Sequence, residues 1–558
     1  MFGVKRFLHI ITKTSLYFHT LRHLRFIQFA DRIRRRLRRL DTEVASDLNL
    51  RNTSRNWLPV YLGNRSMNLK NEFKFLNRVG VVHDVSGWND KDQEKLWLYN
   101  LHYFEDLVAL DASKRNYLHS DLVDKWINEN PPPYGNGWEP YPQSLRIVNW
   151  IKWFLNGADV KELWLSSLAQ QVYVLSQQIE YHLLGNHLFA NGKALIFAGL
   201  YFDGDIAEKW LQKGISILDK ELEEQVQLDG GNFELSPMYH NIQLQDLLDL
   251  INLANTYNHP LLNSRITVWR QTAAAMIGWM KCMTHPDGEV SLFNDSAIGI
   301  APSAKGLIDY ACAMEIHSVD RSKVVSYKDI LLSHFIDTGY IRVNSNDSVA
   351  LLDCARVGPD YIPGHAHADT LSFELSLFDQ RLFVNSGTGC YGLSEERLRQ
   401  RKTASHNTVT VDERDSSEVW GGFRVARRAY PSTPVINVSD GISVSCSHNG
   451  YGRLNGNVTH HRKWQFDSKR VVIRDRLEGK FSKAQAHYHI HPEVDIQAMH
   501  GGYILTLLGG QKCRLRVANG CANIEDSTWH PEFGLSIKSK KVVVTFNSPT
   551  LTISIDWD

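Results

Sequence analysis

Apolar positions follow a helical period over the first part of the chain and a strand period over the rest. Leu165, Leu168, Val172, Leu175, Ile179 and Leu183 recur at steps of three and four, which predicts a helix over 163–184 closed by Gly185. The same period predicts helices over roughly 143–156, 190–202, 206–227, 241–256 and 263–283. Helices on short connections imply a bundle, a solenoid or a toroid. Near residue 335 the character changes. Apolar runs at 340–343, 349–352, 408–411, 471–473 and 542–546, separated by Gly, Asn, Asp and Ser, predict an all-β sandwich. Residues 41–90 show neither period and read as an irregular connection. The resulting division is an α domain over 41–335 and a β domain over 336–558, with a site expected in the cleft between them.

Residues 1–40 stand apart as a basic arm. Eight arginines fall between positions 21 and 39, most of them in Arg32-Ile33-Arg34-Arg35-Arg36-Leu37-Arg38-Arg39. Such a segment reads as a charged helix, with a membrane surface as a candidate contact if its apolar residues share a face. Lys5-Arg6 precedes a short apolar run, but Thr12-Lys13-Thr14 interrupts it and no small-residue cleavage site follows. No stretch reaches the about 20 apolar residues of a membrane span. By this criterion the expected compartment is the cytoplasm or the inner membrane surface. A net charge of +1 gives no bulk attraction to nucleic acid. Seven cysteines without a CxxC pair argue against a disulfide scaffold and against a cysteine-rich zinc module. The 15 Trp, 21 Tyr and 23 Phe suit a core and also stacking on sugar rings.

Four stretches concentrate polar side chains that are awkward to place in a core. Asn186-His187 follows the long apolar helix. Asp229-Gly230-Gly231-Asn232-Phe233-Glu234 leads to Tyr239-His240, with Tyr239 expected at a helix N-terminus. Pro363-Gly364-His365-Ala366-His367-Ala368-Asp369 reads as a strand that would set both histidines and the aspartate on one face. Arg401-Lys402-Thr403-Ala404-Ser405-His406-Asn407 enters a further strand. Two stretches come from each domain, as a cleft site requires.

Asn186-His187, Tyr239-His240, Gly364-His365-Ala366-His367-Ala368-Asp369 and Ser405-His406-Asn407, in this order, resemble the motifs of the heparinase II/III family of polysaccharide lyases, to which alginate and oligoalginate lyases are related. The resemblance spans roughly 95–550 and implies an incomplete α/α toroid followed by an antiparallel β-sandwich. It implies β-elimination on a uronic-acid polysaccharide, of the kind met in bacterial envelopes and exopolysaccharides. That substrate class would place the protein in the periplasm. It implies Asn186 as the group that neutralises the uronate carboxylate, His187 as its helper or as base, Tyr239 as the phenol that moves protons, and His365 as the second catalytic histidine. A phenol acting as base needs its pKa lowered by cations or a helix terminus. Arg397 and Arg401 are candidates for the substrate carboxylate. Asn100, His102, Tyr103, Trp138, Arg146 and Glu234 are candidates for sugar contacts. One structural Zn²⁺ is the candidate metal, on His367, His406 and Asn385; no organic cofactor is expected. Asn385 stands where the family pattern has Asp, so this set lacks anionic charge.

Two other readings remain at this stage. A glycoside hydrolase would need a pair among Glu139, Glu234 and Asp295 to flank one bond. A non-catalytic protein that binds acidic glycan on a lyase fold would need none of the proton chemistry.

Overall fold

The computed structural model describes residues 13–44 and 48–558. The apolar run at 7–11 lies outside the described residues. The α-then-β order holds: an N-terminal helical toroid precedes a sandwich of two antiparallel sheets.

The toroid is built from α1 (Lys95–Tyr103), α2 (Asn116–Glu129), α3 (Pro140–Leu155), α4 (Glu162–Gln177), α5 (Gly185–Tyr201), α6 (Asp205–Gln225), α7 (Pro237–Tyr257) and α8 (Ile266–Cys282). Pro140 and Pro237 begin their helices, where a missing N–H costs nothing. Apolar stripes of neighbouring helices meet in one core, with Trp126, Trp150, Trp153 and Trp164 at its aromatic centre.

Three expectations from the pattern need correction. The apolar period over 163–184 spans two elements. Helix α4 ends at Gln177, and Gly185 opens α5 instead of closing the helix before it. Ile179 stays in the core through the bend, so the period survives where the backbone turns. Leu184 and Gly185 take φ of 63° and 55°, which breaks the helix sharply before Asn186. Residues 41–90 are more regular than expected. They hold a three-stranded antiparallel sheet of Met67–Leu69, Glu72–Phe75 and Arg78–Val81, whose strands are too short to show alternation. The large sheet begins at Lys323, ahead of residue 335; its first strand, Lys323–Tyr327, is a mostly exposed edge, and its second, Ile330–His334, is already in the core.

The first sheet has ten strands, running from Cys521–Trp529 through Ile537–Phe546 and Ala484–Ile490 to Phe373–Leu377 and on to the edge at Lys323–Tyr327. The second has eight, with Thr459–Asp467, Arg470–Glu478 and Thr550–Trp557 at its centre. Alternate residues of both sheets meet in one core, where Phe373 and Leu375 join Trp464 and Ile473.

Buried polar links fix the two domains together. Asp229 accepts from Thr338 N at 2.7 Å and Oγ1 at 3.0 Å. The Tyr340 hydroxyl and the Asn294 amide both donate to the Leu235 carbonyl, at 2.8 and 3.0 Å. These bonds hold the segment that leads into Tyr239. Among the described residues no helix is long and apolar enough to cross a membrane.

Several buried histidines are held neutral. Burial lowers His102, His240 and His489 to about 3 and His367 to about 4. Between pH 6.5 and 4 the unfolded chain takes up protons at these positions that the folded chain refuses, so stability falls as pH falls through that window. The thermal midpoint should drop steadily from pH 6.5 to 4; a flat profile would contradict the burial of these rings.

Candidate active site

A cleft of about 1350 Å³ lies between toroid and sandwich. The turn at Leu184 aims the first residues of α5 into it, so Asn186 and His187 line its wall. Asn186 hydrogen-bonds the Tyr141 hydroxyl, and the His187 ring lies against the Tyr141 ring at 4.3 Å. His187 Nδ1 is 3.2 Å from Glu180 Oε1, while Asn191 Nδ2 donates to Glu180 Oε2 at 3.2 Å. Burial alone would raise the Glu180 carboxyl; His187 and the Asn191 amide outweigh it and hold it below its ordinary value.

Tyr239 sits in the first turn of α7, where Ser236 caps the helix by accepting from Tyr239 N at 3.3 Å. Its ring stacks on His365 at 3.9 Å and 18°, and its hydroxyl meets that of Tyr391 at 2.9 Å. His365 Nδ1 is 2.5 Å from Glu234 Oε2. The cleft thus holds two imidazoles whose Nδ1 atoms are each paired with a carboxylate, leaving both Nε2 atoms unpaired by a carboxylate.

The condition for a phenol acting as base, a lowered pKa, is not met by the surroundings of Tyr239. Burial, with Tyr391 and Tyr141 beside it, pushes Tyr239 well above 10. The leading influences on it all raise its pKa, and the helix terminus does not offset the loss of water. These surroundings favour the neutral phenol.

The strand reading of 363–375 is also corrected. Pro363–His365 is a short 3₁₀ turn and the strand begins only at Phe373. His365 and His367 therefore diverge. His365 faces the cleft, whereas His367 is buried behind it, with Nε2 2.8 Å from Asp295 Oδ1.

Other expected contacts are not in the cleft. Arg397 is fully buried and grips Asp295 with both terminal nitrogens, one at 2.6 Å. Arg401 is buried and donates to the Ala366 carbonyl at 3.0 and 2.8 Å. His102 lies between Trp88 O and Trp126 Nε1, each at 3.0 Å. Arg146 is spent on Gln171, His102 O and Gly137 O, and the Trp138 indole on Asn130 O. Each is a core group whose polar atoms are already satisfied, so none can touch a glycan. Asn100, Tyr103 and Glu234 do line the cleft. Glu139 bonds Lys95 and Tyr99 off the cleft, and Asp295 is neutralised by Arg397, so no two of the three hydrolase carboxylates flank a common bond.

The expected metal set of two imidazoles and an amide brings no anionic charge to a zinc. His367 Nδ1 and His406 Nε2 are 3.3 Å apart, close enough for His406 to donate to His367. Burial holds His406 well below 6.5, so both rings are neutral. The Asn385 amide is buried with neither polar atom bonded, but it brings no charge. Asp295 is already matched by Arg397. Among the described residues no group of three His, Cys, Asp or Glu is placed to hold a metal.

Sequence reasoning missed Glu180 and Tyr391 as partners of the site, whereas Tyr141, in the aromatic stretch Trp138–Tyr141 expected to line sugar subsites, does line the cleft. Glu180 was visible as a lone carboxylate in an apolar run; Tyr391 carries no local signal.

Two family descriptions cover almost the whole chain: Heparinase II/III N-terminus matches residues 32–311, and Heparinase II/III-like, C-terminal matches 330–558. The chain belongs to the heparinase II/III family. It is 26% identical over 312 residues to a heparin-sulfate lyase of Bacteroides stercoris, covering 54% of this chain and 44% of the relative. It is 24% identical over 445 residues to a heparin-sulfate lyase of Pedobacter heparinus, covering 70% and 65%. The chain thus spans about half to two-thirds of the length of these heparinase II/III relatives. In fold it is similar to a solved heparinase III, with a TM-score of 0.67 at 18% identity over 85% of this chain and 79% of that one. A solved heparan sulfate lyase from Pedobacter heparinus gives 0.55 at 17%, over 95% and 87%.

Asp295 ties this heparinase II/III site together from behind. Its backbone N donates to the His365 carbonyl at 2.9 Å, and its carbonyl accepts from Ser236 Oγ at 2.6 Å. Asp295→Asn leaves Arg397 buried and unmatched, a loss of about 3–5 kcal/mol. Denaturant unfolding should show it; a change under about 1 kcal/mol would contradict this role.

Proposed function

We propose that the protein is a polysaccharide lyase that cleaves a uronate-containing polysaccharide by β-elimination. The observation that carries this reading is the face-to-face Tyr239–His365 pair, with a neutral phenol and a Glu-held imidazole on one side of the cleft. Glu234 keeps the proton of His365 on Nδ1, which leaves Nε2 to accept the C5 proton. Asn186 offers its amide to the uronate carboxylate as charge builds on it. The Tyr239 hydroxyl donates to the leaving C4 oxygen. The C5–H and C4–O bonds break, the C4–C5 double bond forms, and no water enters. Acid and base on one side favour a uronate whose C5 hydrogen and C4 oxygen share a face. Glu105, Asp246 and Glu289 line the cleft beside its cations, which supports a carboxylated chain over a densely sulfated one, such as an envelope polysaccharide.

Incubation with a panel of uronate polysaccharides should produce the ultraviolet absorbance of an unsaturated uronate, undiminished by a chelator. Tyr239→Phe and His365→Ala should each lose about 10²–10⁴-fold, and Asn186→Ala about 10²–10³-fold. New reducing ends without absorbance would sink the reading.

The arm supports a further part of this reading, contact with an anionic membrane surface. Phe26–Leu37 is a helix whose Gln28 and Asp31 face the body. Phe26, Ile33 and Leu37, at 85%, 61% and 80% exposure, form the opposite stripe. Arg34 and Arg36 flank it, which suits anionic headgroups and opposes pairing with a second copy. Co-sedimentation with phosphatidylglycerol vesicles should be seen, weaken with salt and be lost in Phe26→Ser/Leu37→Ser. Equal binding to neutral vesicles, or none to anionic ones, would refute it.

A further inference from the structure

The arm also has a cleft-facing edge. It crosses from one domain to the other. On the toroid, Arg25 pairs with Glu224, Asp31 accepts from His182 N at 3.1 Å, and Arg35 donates to the Gln178 carbonyl at 2.9 Å. On the sandwich, the Trp420 indole donates to Thr20 Oγ1 at 3.0 Å, and Tyr17 packs edge-on against Trp420 at 4.9 Å. Between these anchors Gln28 Nε2 donates to the Tyr361 carbonyl at 3.3 Å, and Thr20, Leu24, Gln28 and Arg32 line the cleft. The matched family stretch begins at residue 32, so Arg32 is its first residue and residues 13–31 precede it.

Arg32 stands one turn beyond Gln28 on the same stripe. It is exposed, lines the cleft, and has neither an ion pair nor a hydrogen bond to any described residue. Arg424 of the sandwich lines the cleft too; its guanidinium lies over the Trp420 and Tyr17 rings, at 4.8 and 5.7 Å, with no carboxylate beside it. Arg397 and Arg401 are consumed internally. Of the cleft-lining arginines among the described residues, Arg65 bonds the Met67 and Asn68 carbonyls, which leaves the guanidinium groups of Arg32 and Arg424 without a protein oxygen.

We propose that Arg32, on the arm wall of the cleft, holds a carboxylate of the polysaccharide, with Arg424 as a second, separate cation on the sandwich side of the same cleft. This rests on the lyase reading for its ligand. The chemistry is that of a guanidinium donating to a carboxylate, a charge-assisted hydrogen bond stronger than a neutral one.

The test measures calorimetric binding of unsulfated uronate oligosaccharides, and of their carboxyl-reduced counterparts, in a Tyr239→Phe background that prevents turnover. Arg32→Ala should weaken acidic oligosaccharides about tenfold or more. Arg32→Lys should restore part of that loss, and the reduced, neutral oligosaccharides should not distinguish the variants. In the active protein Arg32→Ala should raise KM by the same factor with little change in kcat. Arg424→Ala should act in the same direction. Equal affinity of Arg32→Ala and its parent for every acidic oligosaccharide, or no acidic oligosaccharide bound by the parent, would overturn the subsite. Equal affinity together with an absorbance rise would leave the lyase standing without it. Arg32-dependent binding without any absorbance rise would retain the subsite and remove the lyase.

Discussion

The structure depends most on one buried ion pair, Asp295 with Arg397. Burial would normally drive a carboxyl toward its neutral form, but the guanidinium and the His367 N–H outweigh that and hold Asp295 well below its ordinary range. Its neighbours are the working parts of the cleft. The main chain at Asp295 bonds the carbonyl of His365 and the hydroxyl that caps the helix of Tyr239. One residue therefore sets two catalytic candidates from opposite domains in register while its own side chain stays out of the solvent.

Around that pair the chain solves a local conflict. The chemistry wants exposed imidazoles and a phenol, while the fold wants dry interfaces. Each cleft histidine is steadied by a glutamate on its far nitrogen, and the phenol by a second tyrosine. The polar groups are thus oriented by fixed neighbours before any ligand arrives, which is the arrangement that lowers reorganisation on reaction.

How much of this was legible depended on the kind of signal. The α-then-β order showed because hydrophobic period is a property of neighbours in sequence. Asn186, His187, Tyr239 and His365 stood out because their motifs, taken together and in order, resemble those of the family, and the structure brings all four to one cleft. Arg397, Arg401, Arg146, His102 and Trp138 misled because residue type does not show its partner; Arg397 meets its aspartate across 102 positions. The bend before Gly185 was hidden because Ile179 keeps the apolar period through it. The direction of the Tyr239 shift needed knowledge of burial, which local pattern does not carry.

The arm has a mechanical consequence. It is fastened to Glu224 and Gln178 on one domain and to Val425 and Trp420 on the other. Two lobes joined along one side by the chain and along another by a strap cannot part like a jaw without breaking those bonds. Opening the cleft along the strapped edge therefore has to break those bonds first, while the opposite edge carries no such tie from the arm.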